Sequence, residues 1–168
     1  MNARVVAAVV AGSVFALAGC SSTSSADGKV PAAFVTRAEQ VCSANLAQFP
    51  NVGTFPDSNF NDEDPSPAQL PPLGAYFAEN QRGNSAFEAA LQGLGGPAEG
   101  ASSWNNLKTL LAEFLANGKT QVKDADAANV SAFVAAVNQN QTITNEIISA
   151  AKHSGFPTTG PCEQLLFG

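Results

Sequence analysis

Few residues in this sequence could carry out catalysis. His153 is the single histidine, so a serine nucleophile would have one imidazole to activate it, and the nucleophile elbow Gly-x-Ser-x-Gly does not occur. The stretch "GLGGP" fits a turn after a helix better than a phosphate-binding loop. His153 instead suits the last turn of a helix, where a cation interacts favourably with the helix dipole. The sequence therefore predicts no catalytic residues, no enzyme activity and no cofactor.

An acidic stretch, "DSNFNDED", has part of the pattern of a calcium-binding loop. Oxygen ligands alternate as they do in an EF-hand, and the candidates are Asp57, Asn59, Asn61, Asp62, Glu63 and Asp64. However, position six of such a loop would be Asp62 where glycine makes the sharp turn, and position twelve would be Ala68 where glutamate binds calcium through two oxygens. A solvated acidic loop is favoured over a metal site.

A third group of polar residues lies within apolar helical patterns. These are the amide side chains Asn80, Asn84, Asn140, Gln141 and Asn145. Buried amides must be hydrogen-bonded, so they could pair with one another or line a polar pocket between helices, where bundles often place ligands. The simpler alternative is that several of them face solvent or lie at the boundary of the core, and this alternative is favoured.

Cys20 follows a segment that is typical of an export signal. Arg4 is the one charge before 14 apolar or small residues at 5–18, a length that suits a signal peptide and is too short to cross a bilayer. The motif "LAGC" that ends this segment resembles the lipobox of bacterial lipoproteins. The resemblance implies a signal peptide at residues 1–19 and a diacylglycerol on Cys20. Residues 20–30, which are rich in serine, would then form a flexible lipidated tether.

The other two cysteines are predicted to form a disulfide bond. If Cys20 is acylated, Cys42 and Cys162 remain from the three cysteines of the chain, and two cysteines in an oxidising compartment usually pair. Neither has a nearby basic residue that would favour a reactive thiolate.

Charge limits the partners. The formal net charge is −6, and removal of a leader that contains Arg4 makes the mature chain more negative still. Nucleic acid is therefore a poor partner, and attraction to an anionic membrane surface is weak. Contact with the membrane is expected through the lipid on Cys20.

The remaining sequence, residues 31–168, is predicted to be one helical domain. Apolar residues recur at helical spacing in four stretches: 31–49, 73–94, a segment that follows Pro97 and continues past Gly118, and a segment from Asp126 to about His153. Six of the ten prolines lie in residues 50–72, which predicts a long, acidic, proline-rich loop after the first helix. The fold class expected is all-α, an antiparallel four-helix bundle.

The ends of the last long helix have clear signals. Asp126 is predicted to be its N-cap. At the other end, Lys152 and His153 fall in the last turn, Gly155 suits the left-handed residue after the helix, and Phe156 suits the hydrophobic contact that accompanies it.

These features together resemble small actinobacterial, mycobacterial-type secreted lipoproteins. The residues that carry the resemblance are the lipobox, the tether, the helical segment "FVTRAEQVCSANL", three further helices rich in alanine and leucine, and the terminal "SGFPTTGPC". The resemblance implies a small helical domain on the outer face of the cell membrane, and no assigned activity accompanies it.

Three functions follow as hypotheses. The leading one is a lipid-anchored extracytoplasmic protein whose helical domain binds an envelope partner or a small apolar ligand. The alternative is a structural or accessory envelope lipoprotein without a ligand site. An envelope hydrolase is the remote alternative, because it would need Glu79, Glu88 and Glu113 to converge in a cleft and nothing in their spacing requires this.

Overall fold

The computed structural model describes residues 28–49 and 64–167, except for the side chains of Leu166 and Phe167. These residues form five helices: α1 (Ala32–Gln48), α2 (Leu70–Gly93), α3 (Ala101–Asp126), α4 (Val130–His153) and α5 (Pro161–Phe167). No strand occurs in the described ranges, which confirms the all-α fold class. Within the same ranges, no helix combines the length and the hydrophobicity needed to cross a membrane.

A large hydrophobic core occupies one end of the molecule and includes residues from all five helices. We call it the first core. Its aromatic centre is Trp104, whose ring lies edge-on to Phe34 at 4.9 Å and stacked against Phe156 at 6.2 Å. Its buried members are Val30, Phe34, Ala38, Cys42, Phe87, Leu91, Trp104, Leu107, Leu110, Leu111, Ile143, Ile147, Ala151, Phe156 and Cys162.

A smaller core lies towards the other end of the long helices. This second core contains Leu70 and Leu73 of α2, Ala125 of α3 and Phe133 of α4. Phe77 packs against it, with its ring 5.8 Å from that of Phe133. The most extensive packing between helices is that of α3 with α2 and with α4, while α1 packs against α2 and α5.

The start of α2 differs from the prediction. The helix begins at Leu70, so Leu70–Pro72 belong to it and not to the proline-rich loop predicted over 50–72. Pro71 and Pro72 are compatible with the first turn because the backbone N–H groups there have no partner within the helix. Of the rest of that prediction, residues 64–69 form turns and irregular structure, and residues 50–63 lie outside the described residues.

The N-cap of α4 was also predicted wrongly. Asp126 is the last residue of α3, and the cap of α4 is Asn129, whose side-chain oxygen accepts a hydrogen bond from the backbone N–H of Ala132 at 3.4 Å. The chain turns between the two helices through Ala128, which adopts a positive φ of 50°. Three residues after the predicted cap, Asn129 supplies the same chemistry, a short side chain that accepts from the first turn.

The predicted end of α4 is confirmed. Gly155 has a φ of +89°, and its N–H donates to the carbonyl of Lys152 at 3.1 Å. The N–H of Phe156 donates to the carbonyl of Ala151 at 3.0 Å, and the Phe156 side chain is buried. This pair of bonds is the Schellman arrangement, in which glycine adopts the left-handed conformation without a steric penalty.

A fifth helix, α5, was not predicted. The tail after Pro157 was expected only to return Cys162 to the body of the domain, and it forms seven residues of helix that begin with Pro161. The sulfur atoms of Cys42 on α1 and Cys162 on α5 are bonded at 1.99 Å, so the structure brings together the pair that the sequence predicted. The disulfide joins α5 to α1 inside the first core.

Candidate functional site

A groove opens between α2, α3 and α4, with one residue of α5 at its edge. Its volume is about 390 Å³, within the roughly 300–1,000 Å³ typical of small-molecule sites. Seven of its twelve lining residues are apolar: Phe87, Leu111, Phe114, Leu115, Ile147, Ile148 and Leu165. We refer to this space as the groove.

Part of the apolar lining belongs to the first core and part is accessible. Phe87, Leu111 and Ile147 are buried in the first core, whereas Phe114 and Ile148 are only half-buried. The accessible apolar surface lies at the middle of the long helices, beside a packed wall. A ligand with an apolar body could cover this surface, and the removal of apolar surface from water would favour binding.

Polar side chains line the groove from two helices. Asn84 and Glu88 lie one turn apart on α2, and Asn140, Gln141 and Thr144 lie close together on α4. Residues four apart in a helix share a face, so the two α2 side chains form one side of the groove. Apolar walls with a few convergent polar groups are the usual composition of a ligand site.

One of these amides is held by a buried network. Asn117 of α3 is 6% exposed, and its Nδ2 donates to the Ala136 carbonyl at 2.8 Å and to Asn140 Oδ1 at 3.1 Å. Gln121, one turn further along, donates to the same Ala136 carbonyl at 3.3 Å. We call Asn117, Gln121 and Asn140 the amide layer. Because Asn140 Oδ1 is engaged with Asn117, its Nδ2 group remains as a donor for a ligand.

Next to the amide layer, α3 packs closely against α2 at Gly118. Gly118 lies beneath the Gln81 side chain, and a Cβ atom at residue 118 would overlap the Gln81 amide. Glycine inside a helix costs about 0.5–1 kcal/mol relative to alanine, and here it allows the Gln81 side chain to lie across α3. Gly118 therefore helps to set the approach of α2 and α3 just beyond the groove.

The disulfide fixes one edge of the groove. Leu165 lies three residues after Cys162, within the same short helix. The first turn of α5 is also held by Glu39 of α1, whose Oε2 accepts from the backbone N–H of Cys162 at 3.2 Å. A seven-residue helix is too short to be stable alone, so these attachments to α1 keep Leu165 at the groove.

Glu88 gives the groove its charge. It is the one charged side chain among the described residues that line the groove. Its Oε1 accepts a hydrogen bond from Gln92 Nε2 at 2.9 Å on the same helix. The groove thus combines a negative charge, neutral donors and acceptors, and an apolar floor.

The amide side chains predicted from sequence have different positions. Asn84, Asn140 and Gln141 line the groove, which supports the pocket alternative for these three. Asn80 donates to the Tyr76 carbonyl in its own helix at 3.2 Å. Asn145 is exposed, as the boundary alternative expects.

The other predicted site residues do not converge. Glu88 lines the groove, Glu113 lines a separate shallow depression between α3 and α4, and Glu79 forms an ion pair with Arg82. His153 is exposed in the last turn of α4, as predicted.

Two predicted sites fall mainly outside the described residues. Cys20 is one of them, as are Asp57, Asn59, Asn61, Asp62 and Glu63 of the possible calcium loop, whereas Asp64 is described and exposed. Among the described residues, no group of three or more His, Cys, Asp or Glu side chains is arranged to hold a metal ion.

Sequence reasoning did not identify three residues that matter for the groove. Asn117, Thr144 and Leu165 were not singled out, and Asn117 is the one with a usable signal. It is an amide at a position where the apolar stripe of α3 continues through Leu110, Leu111 and Leu115.

No family model, curated protein or solved structure matches this chain. The groove and its chemistry are therefore the basis for inferring a function.

Proposed function

We propose that this protein is a lipid-anchored extracytoplasmic binding protein whose groove takes a small ligand with an apolar body. The observation that carries the proposal is the groove of about 390 Å³ with seven apolar and five polar lining residues. The anchoring part rests on the sequence pattern around Cys20, and the binding part rests on the groove. The function that we propose is ligand binding without catalysis.

The described residues that follow the predicted tether pack against the ends of two helices. Gly28 is the first described residue, and the N–H of Val30 donates to the carbonyl of Ser154 at 3.0 Å near the end of α4. Gly100, just before α3, is also close to the backbone of Lys29. A tether of about ten residues, with a typical span of about 17 Å, would therefore join the molecule at the Trp104 end of the first core.

We also propose that the four long helices form an antiparallel bundle. The start of α2 lies against the end of α3, where Gly74 is close to Asp126. The end of α2 lies near the start of α3, where Trp104 Nε1 donates to the Gly95 carbonyl at 3.0 Å. These two contacts support opposite directions for α2 and α3, as a short connection favours.

The binding proposal can be tested with a neutral apolar fluorophore, N-phenyl-1-naphthylamine. The protein would be the chain from residue 20 onwards with Cys20→Ser, secreted into an oxidising compartment so that Cys42 and Cys162 can pair. We expect saturable fluorescence enhancement. We expect Thr144→Phe to weaken binding at least tenfold, because the new ring would occupy the groove that Thr144 lines.

The matched control is Thr142→Phe. Thr142 is exposed on the same helix and is not among the groove residues, so it adds the same ring outside the groove. Equal effects of the two variants, or no saturable binding by the parent chain, would contradict the binding proposal.

The anchoring proposal has a separate test in cells of the native type. Growth with an alkyne-labelled palmitate should label the full chain, and Cys20→Ala should abolish the label. Cys42→Ala removes a cysteine without removing the lipobox, so its label should persist. Label that survives in Cys20→Ala would show that the lipid is attached elsewhere, and absence of label from the full chain would contradict a lipid anchor.

A further inference from the structure

The described lining of the groove includes a negative charge and no positive charge. Among the described residues of its lining, one is negative, four are polar and neutral, and none is a lysine, arginine or histidine. An anionic group brought into this space would find no cation to replace its hydration, and burying an unpaired charge is costly. A cationic group would also lose hydration but could pair with Glu88, and a neutral group has no charge to desolvate.

The position of Glu88 strengthens this asymmetry. It lines the groove together with Asn84, one turn away on the same face of α2. A ligand whose apolar body covers the accessible apolar lining could therefore place its head group near the Glu88 carboxylate. The overall formal net charge of −6 acts in the same direction, because it disfavours the approach of anions.

The neutral polar groups suit an oxygen-bearing head. Asn140 has its Oδ1 engaged by Asn117 at 3.1 Å, which leaves the Nδ2 group as a donor. Gln141 and Thr144 can each donate and accept hydrogen bonds. These groups can bind hydroxyl or ester oxygens without a charged partner.

The size of the groove limits the apolar part of the ligand. A volume of about 390 Å³ lies near the lower end of the usual range for small-molecule sites. It suits one alkyl chain or a compact ring system better than a lipid with several chains.

We infer that the groove selects single-chain amphiphiles whose head group is neutral or positively charged, and that Glu88 makes it discriminate against anionic ones. This inference rests on the proposed binding function and adds the chemical class of the ligand. Asn117 acts here as a positioning residue, because it contacts Asn140 and does not line the groove.

The test compares three probes that share a lauryl-length chain and differ in charge. Dodecyltrimethylammonium, monolaurin and laurate would each displace N-phenyl-1-naphthylamine from the Cys20→Ser protein, below their micelle concentrations and at neutral pH. We expect the cation and the neutral monolaurin to bind more tightly than laurate, by up to about fivefold, the scale of one exposed charge interaction. The difference in affinity between dodecyltrimethylammonium and laurate should decrease as the salt concentration is raised.

The contribution of Glu88 is tested with Glu88→Gln, which keeps the size of the side chain and removes its charge. This variant should narrow the gap between cation and laurate severalfold. The matched control is Glu113→Gln, which makes the same charge change at an exposed residue of α3 outside the groove. Glu113→Gln should leave the ratio of the cation and laurate affinities within twofold of the ratio for the parent protein.

The outcomes separate the inference from the function on which it rests. If laurate binds as tightly as the cation, the ligand class is wrong while the groove remains a binding site. If Glu113→Gln narrows the gap as much as Glu88→Gln, selectivity comes from overall charge and the role of Glu88 is overturned. If neither N-phenyl-1-naphthylamine nor any of the three amphiphiles binds, the proposed function itself fails.

Discussion

The two hydrophobic cores of this protein lie at different ends of the same long helices and differ in the helices that cover them. The first contains residues of all five helices, whereas the second is formed by α2, α3 and α4. The reason is length: α1 has 17 residues, about 25 Å of helix, while α3 has 26 residues, about 39 Å. α1 therefore covers only part of the long helices.

The bonds that hold the first core together also affect the groove. The first core includes the Cys42–Cys162 bond and the stacked rings of Trp104 and Phe156. The groove borders this core and shares Phe87 and Ile147 with it. If the groove binds a ligand as proposed, a neighbouring core closed by a disulfide bond would hold it near its binding shape and reduce the ordering cost of binding.

The amide layer lies between the two cores along α3. Asn117 and Gln121 follow the first-core residue Leu111 and precede the second-core residue Ala125 in the chain. A layer of buried amides specifies one pairing of the helices, because a shifted pairing would leave polar groups without partners. The comparison of the two cores thus leads to three predictions, in decreasing order of effect.

The largest effect should come from removing the disulfide. The double variant Cys42→Ala, Cys162→Ala should lower the free energy of unfolding by about 4–5 kcal/mol, because the bond spans 120 residues and the unfolded chain loses that constraint. Urea denaturation would measure the change. Hydrogen exchange should accelerate most in α1 and α5, while the segments around Leu73 and Phe133 should change least.

The same experiment can contradict the comparison. Equal acceleration of exchange in both cores would mean that they unfold as one unit. The single variant Thr36→Ala is a suitable control, because Thr36 is exposed on α1 and bonds only within its own helix. It should change exchange in α5 very little.

A smaller effect is expected in the amide layer. Asn117→Ala should lower the free energy of unfolding by about 1–3 kcal/mol, because Asn140 Oδ1 loses its hydrogen bond and the space of the amide is left empty. Thermal and urea denaturation would measure this. Asn138→Ala on α4 is the control, since Asn138 is exposed, and it should stay within about 0.5 kcal/mol. An equal decrease in the free energy of unfolding of Asn117→Ala and Asn138→Ala would contradict a specific stabilising role of the amide layer.

The smallest effect concerns the turn beside the second core. Asn129→Ala should cost about 1 kcal/mol, because the cap of α4 loses its side-chain acceptor for Ala132 N–H. Asp126→Ala provides the comparison at the residue first predicted to be the cap, and it should stay within about 0.5 kcal/mol. If Asp126→Ala proves the more costly of the two in urea denaturation, the assignment of the cap to Asn129 is wrong.

Much of the fold was predictable because its signals are local. The apolar stripe of α3 through Trp104, Leu107 and Leu111 is buried as its spacing predicts. The end of α4 was predicted from Gly155 and Phe156, whose backbone bonds involve only neighbouring residues. The start of α2 was missed because proline density favours a loop, although the first helical turn tolerates proline.

The candidate site was predictable only in part. Asn84 and Asn140 were recognised as amides within apolar patterns, but a boundary position was favoured for several of the amides, whereas these two line the groove. Asn117 and Leu165 affect the groove through contacts with distant residues, such as Asn140 and the disulfide-linked α1. Neither contact leaves a periodic signal in the chain.

The sequence by itself determined the helical class and the buried stripes, because helical periodicity can be counted along the chain. It predicted the pairing of Cys42 with Cys162 on the condition that Cys20 is acylated. Only the tertiary structure decided that Asn84, Leu111, Thr144 and Leu165 line one groove. These residues lie on four different helices, and the distance between them depends on how those helices pack. Packing is cooperative, since each side chain finds its position only when its neighbours have found theirs.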